Sequence, residues 1–414
     1  MPTNSLSPLH ALGNSAIVRL ARRALLDWSF REQLVADPRA VLKAALDVEP
    51  AFRSELEAVS RRVTSLSAID LSQELWREAN PNGIDSNWQR LQGMIDLHLD
   101  PIKQLMLDIV HTLPSGQQYN DIICEMVEHW PGSFLRTLTP VLWPLAISQT
   151  VAPERIERVF PLAAACAFYY QGVVLFDDIA DGELEPMCVQ WPRGQVEHIA
   201  YSLAAALPFA ALKRLEVSDS AVRRIVQDFA EAIWITNLGQ YLDIAATSPV
   251  IHSVEAGEQI AQYKTARGIA LLTRAATHCF ELDEERARHW TESTQAFATA
   301  RQIASDVRDI WNKTYSPDLF GGKCTLPIAY ALSRLSGTAL EDFQNLRQRC
   351  RYQHAPHAEL RLLMEQMGAL SFVEQKLDDY RAHGVALLEQ AGASDTARAW
   401  IMPWGSQGSI FGGI

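Results

Sequence analysis

The residues of this chain with the clearest chemical potential are three aspartates near its middle, in the sequence LFDDIADGE. The preceding residues, 163–176, are almost free of polar groups, so Asp177, Asp178 and Asp181 interrupt a segment with the composition of a buried helix. Residues four apart share one helix face, which places the carboxylates of Asp177 and Asp181 about one turn apart. Such a pair beside an apolar wall suits Mg²⁺, which keeps other positions for waters and phosphate oxygens. A solvated acidic turn is the alternative for one cluster taken alone.

Further side chains with related chemistry follow along the chain, as acid and amide pairs and as cations. They are Gln240 and Asp243 in NLGQYLDIA, Lys264 and Thr265 in YKTARG, Asp306 and Asp309 in RQIASDVRDIW, and Lys323 in DLFGGKC. Acidic metal ligands that face cations across a helix bundle form a site for a diphosphate held by magnesium. The residue types therefore predict a site of this kind.

Helices must position these side chains, because apolar residues recur at spacings of three and four over long stretches. Residues 15–46, 221–246 and 371–391 show this pattern, and we find no convincing alternating strand. Turn sequences such as LPSGQQYND, HWPGS, TVAPE and YSPDLFGGK separate the periodic stretches. The sequence therefore predicts an all-α protein.

A turn-rich sequence at residues 79–87, ANPNGIDSN, is the strongest candidate for a domain boundary. It separates an N-terminal helical extension, residues 1–80, from a helical domain that we place at residues 90–414. Within the extension, residues 27–46 resemble the leader helices of nitrile-hydratase-type peptide precursors. A plain helical extension is the alternative, because Pro38 after Asp37 is also ordinary capping chemistry.

Composition excludes several classes of protein. The net charge of −12 and the lack of a Lys/Arg cluster argue against nucleic acid as a partner. No uninterrupted apolar run reaches the ~18 residues of a membrane span, and the N-terminus lacks the pattern of a secretory signal. We therefore expect a cytoplasmic protein without an integral membrane segment. Its six cysteines lack metal-binding spacing and are expected to be free, mostly buried thiols.

Taken in order, five motifs resemble those of the trans-isoprenyl diphosphate synthase (polyprenyl synthetase) family: DDIAD (177–181), GQYLDI (239–244), KTA (264–266), QIASDVRD (302–309) and GGKCTLP (321–327). The resemblance extends over roughly residues 95–380. It implies a class I isoprenoid synthase fold, in which a helical bundle surrounds a deep apolar pocket with two acidic motifs at its mouth. It also implies an allylic prenyl diphosphate as substrate and three magnesium ions, and it is compatible with a homodimer.

The resemblance assigns roles to individual positions. The catalytic positions would be Asp177, Asp178, Asp181, Gln240, Asp243, Lys264 and Thr265. The metal ligands would be Asp177, Asp181, Ser305, Asp306 and Asp309, and the diphosphate-binding cations would be Lys264, Lys323 and Arg136. The pocket wall would include Gly172, Val173 and Phe176, of which the first two lie where the family has its pocket floor. Because Gly172 and Val173 are small, the pocket is expected to admit a long chain.

The chain departs from the family at three places that bear on its reaction. Ser305 stands where the second acidic motif has its leading aspartate, and a hydroxyl is a weaker magnesium ligand. The motif that grips isopentenyl diphosphate aligns with PGSFLRTL, where Ser133 and Phe134 replace cations and Arg136 remains. The arginine pair after the first aspartate motif is missing, with only Arg193 further along.

These departures retain what ionises an allylic diphosphate and remove much of what binds its homoallylic partner. We therefore predict a magnesium-dependent class I terpene synthase or prenyltransferase that acts on farnesyl diphosphate or a longer substrate. A chain-elongating polyprenyl diphosphate synthase that uses isopentenyl diphosphate is the first alternative. A non-catalytic partner subunit is the alternative from another class.

Overall fold

The computed structural model describes Gln33, Ala36 and residues 86–406, except 115, 130–133, 183, 185, 248–252 and 312–315. Every regular element in these residues is helical, which confirms the all-α prediction. The predicted extension at residues 1–80 lies outside them apart from Gln33 and Ala36. The division into two domains and the leader-like segment therefore stay predictions.

The described helices follow one another with short connections. They are α1 Ser86–Thr112, α2 Gln117–Glu128, α3 Phe134–Val151, α4 Phe160–Asp181, α5 Pro186–Val189, α6 Arg193–Tyr201, α7 Leu207–Leu212, α8 Asp219–Ala245, α9 Val254–Ala261, α10 Arg267–Cys279, α11 Glu284–Trp311, α12 Pro317–Gly321, α13 Leu326–Ser333, α14 Gly337–Cys350, α15 Ala355–Gln366, α16 Ala369–Gln390 and α17 Asp395–Ser406. A 3₁₀ segment, Pro153–Val159, precedes α4, and π-helical segments occupy Ser202–Ala206 and Gln262–Ala266.

The ends of the helices follow the turn and capping residues of the sequence. The proline- and glycine-containing turns predicted near residues 113, 130, 152 and 316 all fall between helices. Ser218 begins α8, and its hydroxyl accepts a hydrogen bond from the amide of Ala221 at 3.3 Å. Helix α4 ends at Gly182, whose φ of 72° is left-handed and favours glycine.

Two apolar clusters hold the helices together. The larger one surrounds α4 and includes Trp143, Trp290 and Trp404. The Trp143 ring meets those of Trp290 and Trp404 edge to face, with centroid distances of 6.4 and 5.7 Å respectively. The second cluster packs the C-terminal half of α11 against α13–α16. Because α11 belongs to both clusters, it joins the two halves of the bundle.

The segment Pro153–Asp181 is long and apolar enough to cross a membrane, with a mean hydropathy of 1.7 over its most apolar window. The sequence expectation concerned uninterrupted apolar runs and not average hydropathy, so the absence of an integral membrane segment stays a prediction. In the bundle, 67% of that window is buried against other helices. A helix that is apolar all round is typical of such a central position.

All six cysteines are free, and five of them are buried. Burial raises the pKa of the Cys279 thiol to about 12 and that of Cys324 to about 11. Protonated thiols of this kind are poor nucleophiles and metal ligands. The prediction of free, mostly buried cysteines is confirmed.

Candidate active site

A cavity of about 300 Å³ opens between α4, α8, the Gln262–Ala266 segment, α11 and the connection from α12 to α13. Most of the side chains that the motifs singled out line it. They are Val173, Phe176, Asp177, Asp178, Asp181, Gln240, Asp243, Lys264, Thr265, Ser305, Asp306, Asp309 and Lys323. Segments that are far apart in the sequence thus converge on one cavity.

The first acidic edge of this cavity is the last turn of α4. Carboxylates there are unfavourable for the helix, because its C-terminus carries partial negative charge. Two lysines offset this cost: Lys264 Nζ lies 3.0 Å from Asp177 Oδ1, and Lys323 Nζ lies 2.7 Å from Asp181 Oδ2. Gln240 Nε2 also donates to Asp177 Oδ1 at 2.9 Å. The edge is therefore fixed by contacts from three other elements.

Asp243 of α8 joins the two lysines into one network. Its Oδ2 lies 2.9 Å from Lys264 Nζ and 3.6 Å from Lys323 Nζ, and its side chain is almost fully buried. Buried charges are tolerated when they are paired in this way. Asp243 thus holds both ammonium groups beside the carboxylates of α4.

The pKa values of this edge follow from burial and from the lysines. Burial opposes ionisation of Asp177, but the charges of Lys264 and Lys323 prevail and hold its pKa below the usual value. Burial likewise disfavours the charged form of Lys264, yet Asp177 and Asp243 raise its pKa well above that of a free lysine. Burial and the neighbouring charge of Asp177 raise the pKa of Asp181, which Lys323 only partly offsets. The lysines thus favour the ionised form of Asp177.

The second acidic edge belongs to α11. The hydroxyl of Thr265 donates to Gln302 Oε1, and Gln302 Nε2 donates to Asp306 Oδ1 at 2.8 Å. Burial, with repulsion from Asp318, raises the pKa of Asp306 well above its usual value. Burial also raises the pKa of Asp318 to about 7, although Lys323 opposes the shift. This edge carries acids whose ionisation is disfavoured without a further cation.

The backbone around Lys264 explains how the lysine reaches the cavity. Residues Gln262–Ala266 form a π-helical turn, which widens the helix by one residue and is frequent at functional sites. Gly239 of α8 crosses this turn so closely that a Cβ atom there would lie 2.1 Å from the amide nitrogen of Lys264. The glycine of the GQYLDI motif therefore permits the approach that brings Gln240 and Asp243 to Lys264.

Gly172 has a different position from the one predicted. It does not line the cavity, and a Cβ atom there would lie 2.3 Å from the backbone nitrogen of Ala204 and 2.6 Å from the carbonyl oxygen of Ala200. The glycine permits a close crossing of α4 with the segment after α6, so its assignment to the pocket wall was wrong. Val173, the next residue, faces the cavity.

The apolar part of the cavity lies below the carboxylates. Its wall includes Tyr170, Ile233 and Ile269, and the Tyr169 hydroxyl donates to Thr236 Oγ1 at 2.6 Å. Tyr169 precedes Asp177 by eight residues, or about 12 Å along a helix. The hydrogen bond between Tyr169 and Thr236 therefore connects α4 to α8 at about this distance from the carboxylates. Burial raises the pKa of the Tyr169 phenol.

Motif reasoning about charge missed several cavity residues, among them Asp318 and Thr325. Asp318 lies in the first turn of α12, with its Oδ1 3.5 Å from Lys323 Nζ. Its position five residues before the lysine, in SPDLFGGK, is a weak signal. Thr325 belongs to the GGKCTLP motif itself, in which the lysine had attracted attention. Both lie in the connection that carries Lys323.

That connection is anchored from outside the cavity. Gly322 is left-handed, with φ of 72°, and the amide of Lys323 donates to the carbonyl of Asp318 at 2.9 Å. The guanidinium of the buried Arg347 donates to the carbonyl of Gly322 at 3.1 Å. The arginine on α14 therefore fixes the turn from which Lys323 extends.

Of the two arginines considered for a second diphosphate, only Arg193 has a described side chain, and it is not part of the cavity wall. Arg193 is exposed and pairs with Glu197 at 2.9 Å. The side chain of Arg136, in the first turn of α3, lies outside the described residues. Among the described residues, the cations that line the cavity are Lys264 and Lys323.

The donor set fits a hard divalent cation. Carboxylates from α4, α8, α11 and α12 line the cavity, and oxygen ligands of this type are those that Mg²⁺ prefers. In the described part of the chain, no three acidic, histidine or cysteine side chains are close enough to hold an ion alone. Such an ion would therefore share its ligands with waters or with phosphate oxygens of a substrate.

Solved structures similar to this one include prenyl diphosphate synthases. The decaprenyl diphosphate synthase from Rhodobacter capsulatus is 17% identical and superposes with a TM-score of 0.66 over 77% of this chain and 98% of its own. The polyprenyl synthase from Caulobacter crescentus CB15, solved with calcium and isoprenyl diphosphate, is 22% identical, with a TM-score of 0.62 over 78% and 98%. At these identities the similarity shows a common fold. A comparison with curated proteins gave no match.

The class of the protein follows from a family profile together with the fold: it is a helical prenyltransferase that acts on allylic diphosphates. The profile of the polyprenyl synthetase family matches residues 118–359, which is more than half of the chain and contains all five motifs. The chain belongs to the polyprenyl synthetase family. The resemblance inferred from the motifs is confirmed.

Proposed function

We propose that this prenyltransferase is a magnesium-dependent terpene synthase, which ionises one allylic prenyl diphosphate and does not extend it with isopentenyl diphosphate. Farnesyl diphosphate or a longer homologue is the proposed substrate. The class of enzyme rests on the family, whereas the choice between cyclisation and elongation rests on the charges around the cavity.

One observation carries this choice. Both cations of the described cavity wall, Lys264 and Lys323, lie within 3.0 Å of the carboxylates of α4, on the side of the first diphosphate. A second diphosphate needs charge-assisted donors of its own, each of which contributes about 1.5–3 kcal/mol. Arg193, which pairs with Glu197, does not supply one.

The residues present would act at definite points of the reaction. Lys264 and Lys323 would bind the oxygens of the leaving diphosphate. Each lysine would then have an anionic partner before and after the substrate binds: a carboxylate first and a phosphate oxygen afterwards. Asp243 and Gln240 would keep the lysine and aspartate side chains in place. The aromatic rings of Tyr170 and Phe176 would exclude water and stabilise positive charge on the hydrocarbon.

Magnesium is the proposed cofactor, and three ions are expected. Asp177 and Asp181 on one side and Asp306 and Asp309 on the other would hold it, with Ser305 as a weaker ligand. When bound, the ions neutralise the diphosphate and draw off charge as the carbon–oxygen bond breaks. The carboxylate lining of the cavity supports this assignment.

The alternatives make different demands on the site. A chain-elongating synthase needs a second diphosphate site, for which Arg136 would have to serve without the cations replaced by Ser133 and Phe134. A non-catalytic subunit needs no bonded network of Asp177, Lys264 and Asp243, so the retention of that network favours an enzyme.

The test is incubation of the protein with farnesyl or geranylgeranyl diphosphate and Mg²⁺, followed by measurement of free diphosphate and identification of the hydrocarbon products. Release of diphosphate with a cyclic or hydroxylated terpene of unchanged carbon number is expected. Longer prenyl diphosphates made when isopentenyl diphosphate is added would show elongation. No release under any condition would indicate a non-catalytic subunit.

A homodimer and a cytoplasmic location complete the proposal. Along α8, Trp234, Tyr241 and Ile244 expose 72%, 69% and 53% of their surface on one side of the helix, which supports an apolar protein contact there. Six free cysteines are typical of a reducing compartment. Light scattering of the wild type and of Trp234→Glu tests the dimer: the proposal requires a shift from two copies to one.

A further inference from the structure

The hydroxyl of Thr325 is a buried polar group without a protein partner. Only 7% of the residue is exposed, and within the described part of the chain its Oγ1 makes no hydrogen bond. Thr325 nevertheless lines the cavity, two residues after Lys323. Burying a hydroxyl without a partner is unfavourable, so an exception in a functional cavity points to a ligand.

Thr325 occupies a helix position at which the hydroxyl normally forms a hydrogen bond. Thr325 is the N-cap residue of α13, with φ of −65° and ψ of 166°, where a threonine hydroxyl ordinarily accepts a hydrogen bond from an amide of the first turn. The serines that begin α8, α9 and α12 all make this bond, at 3.3, 3.2 and 3.3 Å. Thr325 has the backbone of an N-cap residue, but its buried hydroxyl makes no capping bond.

The turn that carries Thr325 is held in place on its other sides. Arg347 fixes the carbonyl of Gly322, and the carbonyl of Thr325 itself accepts from the amide of Ala329 at 2.9 Å. On the outer side, Gly257 of α9 is close enough that a Cβ atom there would lie 3.4 Å from the Cα of Leu326. The backbone of the turn is therefore preorganised, and the same turn carries Lys323, whose ammonium is part of the proposed diphosphate site.

We infer that the Thr325 hydroxyl is a substrate-binding group that donates a hydrogen bond to a diphosphate oxygen beside Lys323. This inference rests on the proposed function and assigns a further residue to its diphosphate site. A hydroxyl bond to an anionic oxygen is short and strong, and it satisfies the group that the protein leaves unpaired. The lysine supplies charge, and the threonine fixes the orientation of the phosphate.

Isothermal titration of the full-length protein with inorganic pyrophosphate at fixed Mg²⁺ tests this role. Thr325→Val removes the hydroxyl and keeps the shape, and we expect it to weaken pyrophosphate binding about 10- to 100-fold. Thr325→Ser keeps the hydroxyl and should bind within a few-fold of wild type. Ser253→Ala, which removes the capping bond of α9 outside the cavity, is the matched control: it should lower the melting temperature and leave binding unchanged.

Thermal unfolding separates a ligand-binding role from a capping role. Without ligand, Thr325→Val should melt at or above the wild-type temperature, because it removes an unpaired buried hydroxyl. A lower melting temperature with wild-type pyrophosphate affinity would overturn the inference in favour of a structural role. If Thr325→Val weakened Mg²⁺ binding without pyrophosphate as much as it weakened pyrophosphate binding, the inference would be overturned. The hydroxyl would then bind a water of the metal ion and not the diphosphate.

The outcome is independent of the test of the proposed function. If Thr325→Val binds pyrophosphate like wild type while the wild type releases diphosphate from farnesyl diphosphate, the inference fails and the function stands. If the wild type releases no diphosphate from any prenyl substrate, the proposed function fails.

Discussion

The two acidic edges of the cavity have the same kinds of side chain but different electrostatic states. On α4, Asp177 and Asp181 each contact a lysine at 3.0 Å or less, and the pKa of Asp177 is held low. On α11, Asp306 accepts from the neutral amide of Gln302, and burial raises its pKa well above the usual value. Burial and Asp177 also raise the pKa of Asp181, so the difference between the edges lies in the lysines. The edge on α4 has cationic partners of its own, whereas the edge on α11 gains most from an added cation.

This difference explains where the chain tolerates departure from its family. Ser305 replaces a carboxylate on the α11 edge, where further negative charge is already disfavoured by burial and by Asp318. No substitution interrupts the network of Asp177, Lys264 and Asp243, in which removal of one member takes a charged partner away from another buried group. The edge on α4 and its lysines are thus the less replaceable half.

Removal of a carboxylate from the α4 edge is expected to have the largest effect. Asp177→Ala or Asp181→Ala should lower kcat/KM for diphosphate release by about 1000-fold or more, because several kcal/mol of charge stabilisation are lost at the breaking bond. Circular dichroism should remain that of the wild type, since Lys264 keeps Asp243 as partner. Near-normal turnover in both variants would show that the α4 edge does not bind metal.

Adjacent residues of α4 are expected to behave differently when enlarged. Val173→Phe narrows the cavity and should reduce turnover of geranylgeranyl diphosphate by about tenfold or more. Turnover of geranyl diphosphate should be unchanged, because only the longer hydrocarbon chain would collide with the new ring. Competition assays with substrates of different length measure the effect. Equal loss on every substrate would mean that Val173 does not contact the hydrocarbon.

Gly172→Ala serves as the control for Val173→Phe, because it enlarges the neighbouring residue outside the cavity. The new Cβ atom would lie 2.3 Å from the backbone of Ala204, so the helices must separate, at a cost of about 1–3 kcal/mol. We expect a lower melting temperature and a uniform change across chain lengths. A selective loss of the longest substrate would restore Gly172 to the pocket wall.

Removal of the hydrogen bond that holds the turn of Lys323 should have an intermediate effect on substrate binding. Arg347→Met keeps the apolar stem but removes the hydrogen bond to the Gly322 carbonyl, so the lysine is held less firmly near Asp181. A rise of about tenfold in KM for the prenyl diphosphate, with a smaller change in kcat, is expected. Arg351→Met is the control, because the Arg351 side chain packs against Gly322 but does not hold its carbonyl. This variant should change KM less.

Restoring the carboxylate of the α11 edge should have the smallest effect. Ser305→Asp is expected to lower the half-saturating Mg²⁺ concentration by a few-fold, because a carboxylate is a better ligand than a hydroxyl. The gain is limited by the added repulsion from Asp306. An unchanged metal requirement would mean that Ser305, although it lines the cavity, does not bind the ion.

Sequence patterns were sufficient for the helices, since periodicity is a local property, and the resemblance to the family supplied the expectation that the motifs converge. They did not reveal that Gly172 faces another helix, because the neighbours of a glycine depend on where α6 and its π-helical continuation cross α4. They also missed Asp318 and Thr325, whose importance depends on the fold of the turn around Lys323. Contacts between distant segments were thus the information that the sequence alone lacked.

The most direct test of the account is incorporation of radiolabelled isopentenyl diphosphate. Incubated with farnesyl diphosphate, Mg²⁺ and the labelled compound, the protein should release diphosphate and leave its hydrocarbon products unlabelled, because the described cavity wall provides cations for one diphosphate only. Label in a longer prenyl diphosphate, at a rate comparable to diphosphate release, would contradict the account and identify a chain-elongating synthase.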